Sequence, residues 1–241
     1  MEKHTVSASL TDNTKYMNRA LPVKKSFDII ERNLIIGGQN SAFYFIDGFT
    51  KDEIMLKLMD SFLNISADDM PEDATSFSTS CIPYVEVDIL GDFDSIFKNL
   101  LSGVTCLFID GYEAAIAIDC RTYPSRSIEE PDKDKSLRGS RDGFVETIVF
   151  NTALMRRRIR DPHLIMEMYE AGTSTRTDVA LCYMSDRVDR ELLTTIQNKL
   201  EESKSQDLKM SQQSLAEALF QRKWYNPFPK YKFTEPPDTA C

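Results

Sequence analysis

Strand-like alternation and helical apolar stripes succeed one another along the whole chain, which predicts a mixed α/β (α+β) fold in two small lobes. Three observations carry this. NLIIGGQNSAFYFIDG alternates well enough to be two strands, and VTCLFID and EAAIAID read as a hairpin around Asp110–Gly111. Ile54, Met55, Leu58, Met59, Phe62 and Leu63, and later Leu192, Leu193, Ile196 and Leu200, recur with helical spacing. Between them, Arg121 to Leu137 carries two prolines and alternating charge, the composition of a connection between subdomains. At 241 residues the chain can bury one large core or two small ones, and its 41% hydrophobic and 28% charged residues are those of a globular protein.

Taken in order, residues 1–26 lack apolar periodicity and read as a mobile tail. Residues 27–120 form a first α/β subdomain. It opens with two strands turning over Gly37–Gly38–Gln39–Asn40. A helix follows, with Thr50 and Glu53 as a capping box. The Ser/Thr/Asp/Glu/Pro-rich stretch 64–80 reads as a surface loop. Tyr84–Ile89 alternates as a strand, and Phe93, Ile96, Phe97 and Leu100 mark a helix stopped by Gly103. A hairpin then turns at Asp110–Gly111. The tetrapeptide FIDG at 45–48 and again at 108–111 is read as shared turn chemistry. Residues 121–138 are the connection, and 139–241 the second α/β subdomain. Its expected elements are a helix over 142–160, a hairpin turning near Gly172, helices after Asp189 and Ser211, and a proline-rich, extended tail.

Little in the chain points to catalysis. The two histidines, His4 and His163, have no nucleophile or carboxylate at a recognisable spacing, and no phosphate-binding loop or HExxH is present. The five cysteines, Cys81, Cys106, Cys120, Cys182 and Cys241, form no CxxC pair. The first four are expected to be buried, reduced thiols, with no metal or cofactor held. A net charge of −9 disfavours nucleic acid as a partner. No run approaches the ~18–20 apolar residues of a membrane span, and no secretory pattern opens the chain, so the polypeptide is expected to be soluble and to stay inside the cell.

The densest segment is Ser136–Pro162, SLRGSRDGFVETIVFNTALMRRRIRDP. Gly139 and Gly143 bracket Ser140, Arg141 and Asp142, so the backbone can bend sharply into a helix N-terminus. With Arg138 and Arg141 beside it, such a turn can hold an anion through Arg138, Ser140 and Arg141. The plainer reading is a glycine-eased turn in which Asp142 caps the helix, with Glu146 also at its positive end. Asn151 and Thr152 interrupt the apolar stripe and can hydrogen-bond within the core or across a subunit contact. Arg156, Arg157, Arg158 and Arg160 crowd the helix C-terminus, where cations are favoured. At 100° per residue they cannot share one face, so at least one is expected against protein, with Glu129 and Glu130 as partners.

This segment, RGSRDGFVETIVFNTALMRRRIRDPHL, resembles the signature of the A subunits of the GerA family of spore germination proteins, most nearly the SpoVAF-like branch. FYFIDG, YPSRSIEEP, RTDVALCYM and NPFPKYKFTEPPD fall in the family's order, so the resemblance runs from about Leu34 to Asp238. The family usually reads TERPD where Pro236 stands here, and carries an acidic residue in place of Lys135. The resemblance implies a non-catalytic, cytoplasm-facing domain of a spore inner-membrane protein, followed natively by membrane-spanning helices. It also implies a homo-oligomer working with B-type transporter-like and C-type lipoprotein subunits in an ion channel. Arg138, Gly139, Arg141, Asp142, Gly143, Phe144, Glu146, Asn151, Thr152, Arg156, Arg157 and Arg158 are then the signature residues, expected to couple subunit assembly to the pore.

Overall fold

Strand and helix do alternate as the sequence requires. The computed structural model describes residues 4–123, 143–204, 215–216, 232–234 and 237–241. Two compact units emerge: Met1–Ser125 with Ala153–Pro162, and Arg126–Thr152 with His163–Cys241. The sequence-predicted boundary at 121–138 thus needs one correction, because residues 153–162 return to the first unit.

The first unit is built on a five-stranded antiparallel sheet. Its strands are β1 (Ile29–Ile36), β2 (Gln39–Ile46), β3 (Val87–Leu90), β4 (Thr105–Ile109) and β5 (Ala115–Ile118), in the order β1-β2-β4-β5-β3. β1 and β2 pair from Ile29↔Ile46 to Ile36↔Gln39, leaving only Gly37 and Gly38 in the turn. Both have positive φ, 52° and 78°, which the tight two-residue turn requires. The two FIDG copies close alike: Phe49 N–H donates to Ile46 O (3.3 Å) and Tyr112 N–H to Ile109 O (3.1 Å), with Gly48 and Gly111 at φ 80° and 92°. Turn chemistry accounts for the echo.

Successive strand residues face opposite ways, so both faces of this sheet are apolar and both are covered. Tyr44, Cys106 and Phe108 pack with Met17 of α1 (Leu10–Ala20) and with Phe93, Ile96 and Leu100 of α4 (Phe93–Leu101). Phe43, Leu107, Ile116 and Ile118 pack with Leu58 and Phe62 of α2 (Asp52–Leu63) and Phe77 of α3 (Ala74–Ser80).

Three sequence expectations change here. Residues 10–20 are a helix, not part of a mobile tail: Ser9 caps it by accepting from Asp12 N–H, and Met17 is fully buried. The cap of α2 is Lys51 without a side-chain bond, while Thr50 pairs through its backbone with Arg121. The 64–80 stretch holds a 3-10 turn (Ala67–Asp69) and α3, which Asp73 caps by accepting from Ser76 N–H at 2.7 Å and Phe77 anchors.

α5 (Ile148–Arg158) begins in the second unit and from Ala153 belongs to the first; the second unit continues with a hairpin of β6 (Leu164–Ala171) and β7 (Thr177–Met184), turning where Gly172 has φ 88°. α6 (Arg190–Ser203) is capped by Asp189, which accepts from Glu191 and Leu192 N–H, and packs Leu193 against Ile165 and Tyr183. Glu167 ties this layer together, accepting from Tyr169, Tyr183 and Gln197, each at 2.7 Å. The helix expected after Ser211 lies largely outside the described residues. In the proline-rich tail, Pro237–Ala240 form one helical turn, α7, where extended chain was expected.

Candidate functional site

α5 carries the signature. The turn residues Arg138, Gly139, Ser140, Arg141 and Asp142 lie outside the described residues, as do Glu129 and Glu130. Gly143 is buried, Phe144 half-buried and Glu146 exposed, all ahead of the helix, which starts at Ile148 rather than 142 and ends at Arg158.

Asn151 clamps the approach to the helix. Its Nδ2 donates to Val145 O (2.6 Å) and its Oδ1 accepts from Val145 N–H (2.7 Å), a two-way bond that satisfies backbone no helix turn could reach. Thr152 donates Oγ1 back to Val149 O at 3.0 Å. One turn further, Thr152, Ala153 and Arg156 share a buried stripe at i, i+1 and i+4.

Among the described residues Arg156 is the largest fully buried side chain, at 0% exposure. Its Nε donates to Asp28 Oδ2 (2.7 Å) and its Nη2 to Asp28 Oδ1 (3.2 Å), while Nη1 donates to Asp161 O (3.0 Å). Asp28, also buried, accepts in addition from Ser26 Oγ at 2.5 Å. The planar guanidinium matches a carboxylate edge-on, which is why this pair can be buried where a lysine could not bond twice. Asp47, in the first FIDG turn, donates its N–H to Asp28 O at 2.8 Å. Its carboxyl is pushed up from the ordinary carboxylate range, first by burial and then by the charges of Asp28 and Asp52, against a lowering bond from Gly48 N–H.

Arg157 points elsewhere: its guanidinium lies 4.5 Å from the centre of the Tyr123 ring. That ring meets Phe49 edge-on at 5.3 Å, and its hydroxyl donates to Ser102 O at 3.0 Å. Thr122 N–H donates to Phe49 O at 2.6 Å. Arg121 joins through an ion pair with Asp119, holding that carboxyl below its usual range chiefly by a side-chain hydrogen bond. Arg158 Nη1 donates to Leu154 O and Arg160 Nε to Arg157 O. The four arginines therefore do not present a single cationic face.

Three stretches that carried the resemblance, the FIDG turn, the YPSRSIEEP start and the MRRRIRDP end, thus meet in the first unit although more than a hundred positions separate the first from the last. Sequence reading missed Asp28 and Ser26. Asp28 stands at a strand start, where an acidic residue is ordinarily solvated, and no local pattern marks it. Among the described residues no group of three or more His, Cys, Asp or Glu is placed to hold a metal ion. Nor is any helix among them long and apolar enough to cross a membrane. The arrangement fixes backbone in place.

The family profile for the Bacillus/Clostridium GerA spore germination protein matches residues 15–241. Stage V sporulation protein AF of Bacillus subtilis is 32% identical over all of this chain and 49% of its own length. Spore germination protein KA of B. subtilis is 28% identical over 98% of this chain and 43% of its own length. The chain thus spans about half the length of the curated relatives it matches. The crystal structure of the N-terminal domain of the A subunit of the Bacillus megaterium spore germinant receptor GerK3 has the same fold. Its TM-score is 0.70 at 21% identity, over 100% of this chain and 89% of that one. The chain belongs to the GerA spore germination family.

Proposed function

We propose that this chain is the non-catalytic, cytoplasm-facing N-terminal part of a spore germination membrane protein, either a germinant receptor A subunit or a SpoVAF-like accessory. In this reading its lobes assemble with further copies and with B-type and C-type subunits, and couple germinant sensing to ion conduction in the spore inner membrane. The relatives extend to about twice this length, and one, YfkQ of B. subtilis, is named a membrane protein. The observation that carries the coupling role is α5. Its residues are divided between the two compact units at Thr152/Ala153, and its end is held in the first by the buried Arg156–Asp28 pair. A helix is stiff enough to pass displacement along its axis.

An anion-binding alternative rests on the RGSRDG turn and the RRRIR cluster. Arg156 is engaged with Asp28 and Arg157 with Tyr123, which leaves that reading the weaker. The test places Arg156→Met, Tyr123→Leu and Arg160→Ala in the full-length protein in spores. Germination and cation release should fall for the first two at normal protein level and stay normal for the third. Normal responses for all three, with normal protein levels, would remove the coupling role. Steeply salt-dependent phosphate binding by this chain would favour the alternative.

A further inference from the structure

The β1 edge of the five-stranded sheet is open along its length. All of β1 pairs with β2 in one unbroken register, and among the described residues no backbone hydrogen bond leaves residues 30–36 except to β2. An unpaired edge of this length templates another strand, and neither proline nor a bulge blunts it. α2 lies above the same edge. Leu34 and Ile36 side with α2 and α3. Of these two helices α2 meets β1 and, through Phe62 on Phe43, β2, while α3 covers β3 and β5. Ser61 Oγ donates to Cys81 O at 3.3 Å, which marks the flank of α2 turned toward α3. With about 100° between successive residues, Leu56 and Leu63 lie about 140–160° from Ser61, past the buried Leu58 and Phe62. They therefore overhang the open edge, and they are 71% and 63% exposed.

We propose that this side of the sheet is the contact between two copies of the chain, β1 against β1 and α2 against α2, across a twofold axis normal to the sheet. The proposal rests on the assembly with further copies put forward above and names its surface. Self-complementarity selects the occupant. Each copy offers the strand and the leucine stripe that the other lacks, which is the condition of an isologous interface. An extended peptide would pair with the edge but bring no helix to the leucines. Because side chains alternate between faces, a twofold pairing must be centred on a residue. Centring on Glu31 or Arg32 sets that charge against its own copy. Centring on Asn33 sets Ile30 opposite Ile36, Glu31 opposite Ile35 and Arg32 opposite Leu34, with no like charges face to face. Ile35, 62% exposed in the single chain, is then covered as well. Strands about 4.8 Å apart place helices seated over β1 and β2 about 10 Å from their copies, the distance at which helices pack.

The test is sedimentation equilibrium of the 241-residue chain. The mass should rise from one chain to two below about 1 mM, the weak end of specific association. Leu56→Glu and Leu63→Glu should each weaken the dimer about a hundredfold, since each change enters the interface twice. Both side chains are exposed in the single chain, so an unchanged urea midpoint separates a lost contact from a misfolded chain. Cross-linking reads the register. In a Cys241→Ser background, Asn33→Cys should be joined to its copy by a short bismaleimide, whereas Val85→Cys, beside β3 at the opposite edge, should not. A chain that stays monomeric, a dimer as strong in both leucine variants, or equal cross-linking at 33 and 85 would each overturn the proposal. A dimer that survives both leucine changes leaves assembly through another surface standing. None of these readouts depends on germination, which Arg156→Met and Tyr123→Leu test in spores.

Discussion

Arg156 shows how much one side chain can depend on its partner. Removing it alone leaves Asp28 charged and buried, so Arg156→Met should cost about 3–5 kcal/mol in urea unfolding, whereas exposed Arg160→Ala should change stability by less than about 0.5 kcal/mol. The double variant Asp28→Leu/Arg156→Met should recover much of the loss, because the desolvated charge is gone as well. Equal effects of Arg156 and Arg160 would show that the pair is not buried in solution. Asp47 and Asp119 should give opposite pH dependences. Asp47 is raised, so its favourable contribution is full below the unfolded value of about 3.9 and is lost as pH rises through its folded value. Asp47→Asn should therefore be neutral at pH 3 and stabilising at pH 7. Asp119 is lowered, mainly by its bond from Arg121, so its contribution is present above about pH 4 and disappears as pH falls through its folded value. Asp119→Asn should cost stability at pH 7 and nothing below the folded value. Urea midpoints at the two pH values read both signs.

At the level of the element, local pattern was enough wherever burial follows periodicity. α4 runs from Phe93 to Leu101 and ends as its glycine implies. Gly103 N–H donates to Leu100 O and Val104 N–H to Asn99 O, the two bonds that close a helix on a left-handed residue. α1 and α3 were illegible for the same physical reason: each is held by one or two buried side chains, Met17 or Phe77, among polar neighbours, and by a cap that resembles any turn. The Arg156 site was half legible. Crowding at 100° per residue required an arginine to turn inward, but its partner lay 128 positions away in a segment with no pattern of its own. Two glycines separate backbone from packing. Gly103 (φ 101°) and Gly111 (φ 92°) share a conformation that L-residues resist, but a Cβ would meet Phe49 Cδ2 at 2.6 Å at 103 and nothing within 4 Å at 111. Gly111→Ala should cost about 1–2 kcal/mol from backbone alone. Gly103→Ala should cost a further ~1–3 kcal/mol of overpacking, read as the difference between the two unfolding midpoints.

Across the whole molecule, the cysteines sample depth from the sheet centre to the chain end. Cys106 lies in β4 between two covered faces, and burial pushes its thiol up to about 12. Cys120, also buried, is raised by burial, partly offset by the hydrogen bond with Thr105. Cys81 and Cys182 are half-buried, so the four internal thiols fall into two classes, while Cys241 is exposed. Attack needs a thiolate and access, and Cys106 lacks both until the sheet opens. With an aromatic disulfide reagent at pH 8, Cys241 should react first, then Cys81 and Cys182, and Cys106 and Cys120 last. If the sheet opens only with its whole unit, Cys106 should lag Cys241 by about four orders of magnitude or more, the factor set by a domain stability of ~5–15 kcal/mol. Its rate should then rise with urea along the slope of global unfolding. Gly103→Ala and Arg156→Met should each speed it by the factor their stability loss dictates, since both act on the unit that contains β4. A Cys106 rate near that of Cys241 and insensitive to urea would mean that β4 is reached by local opening, and that the two covered faces do not form one cooperative core.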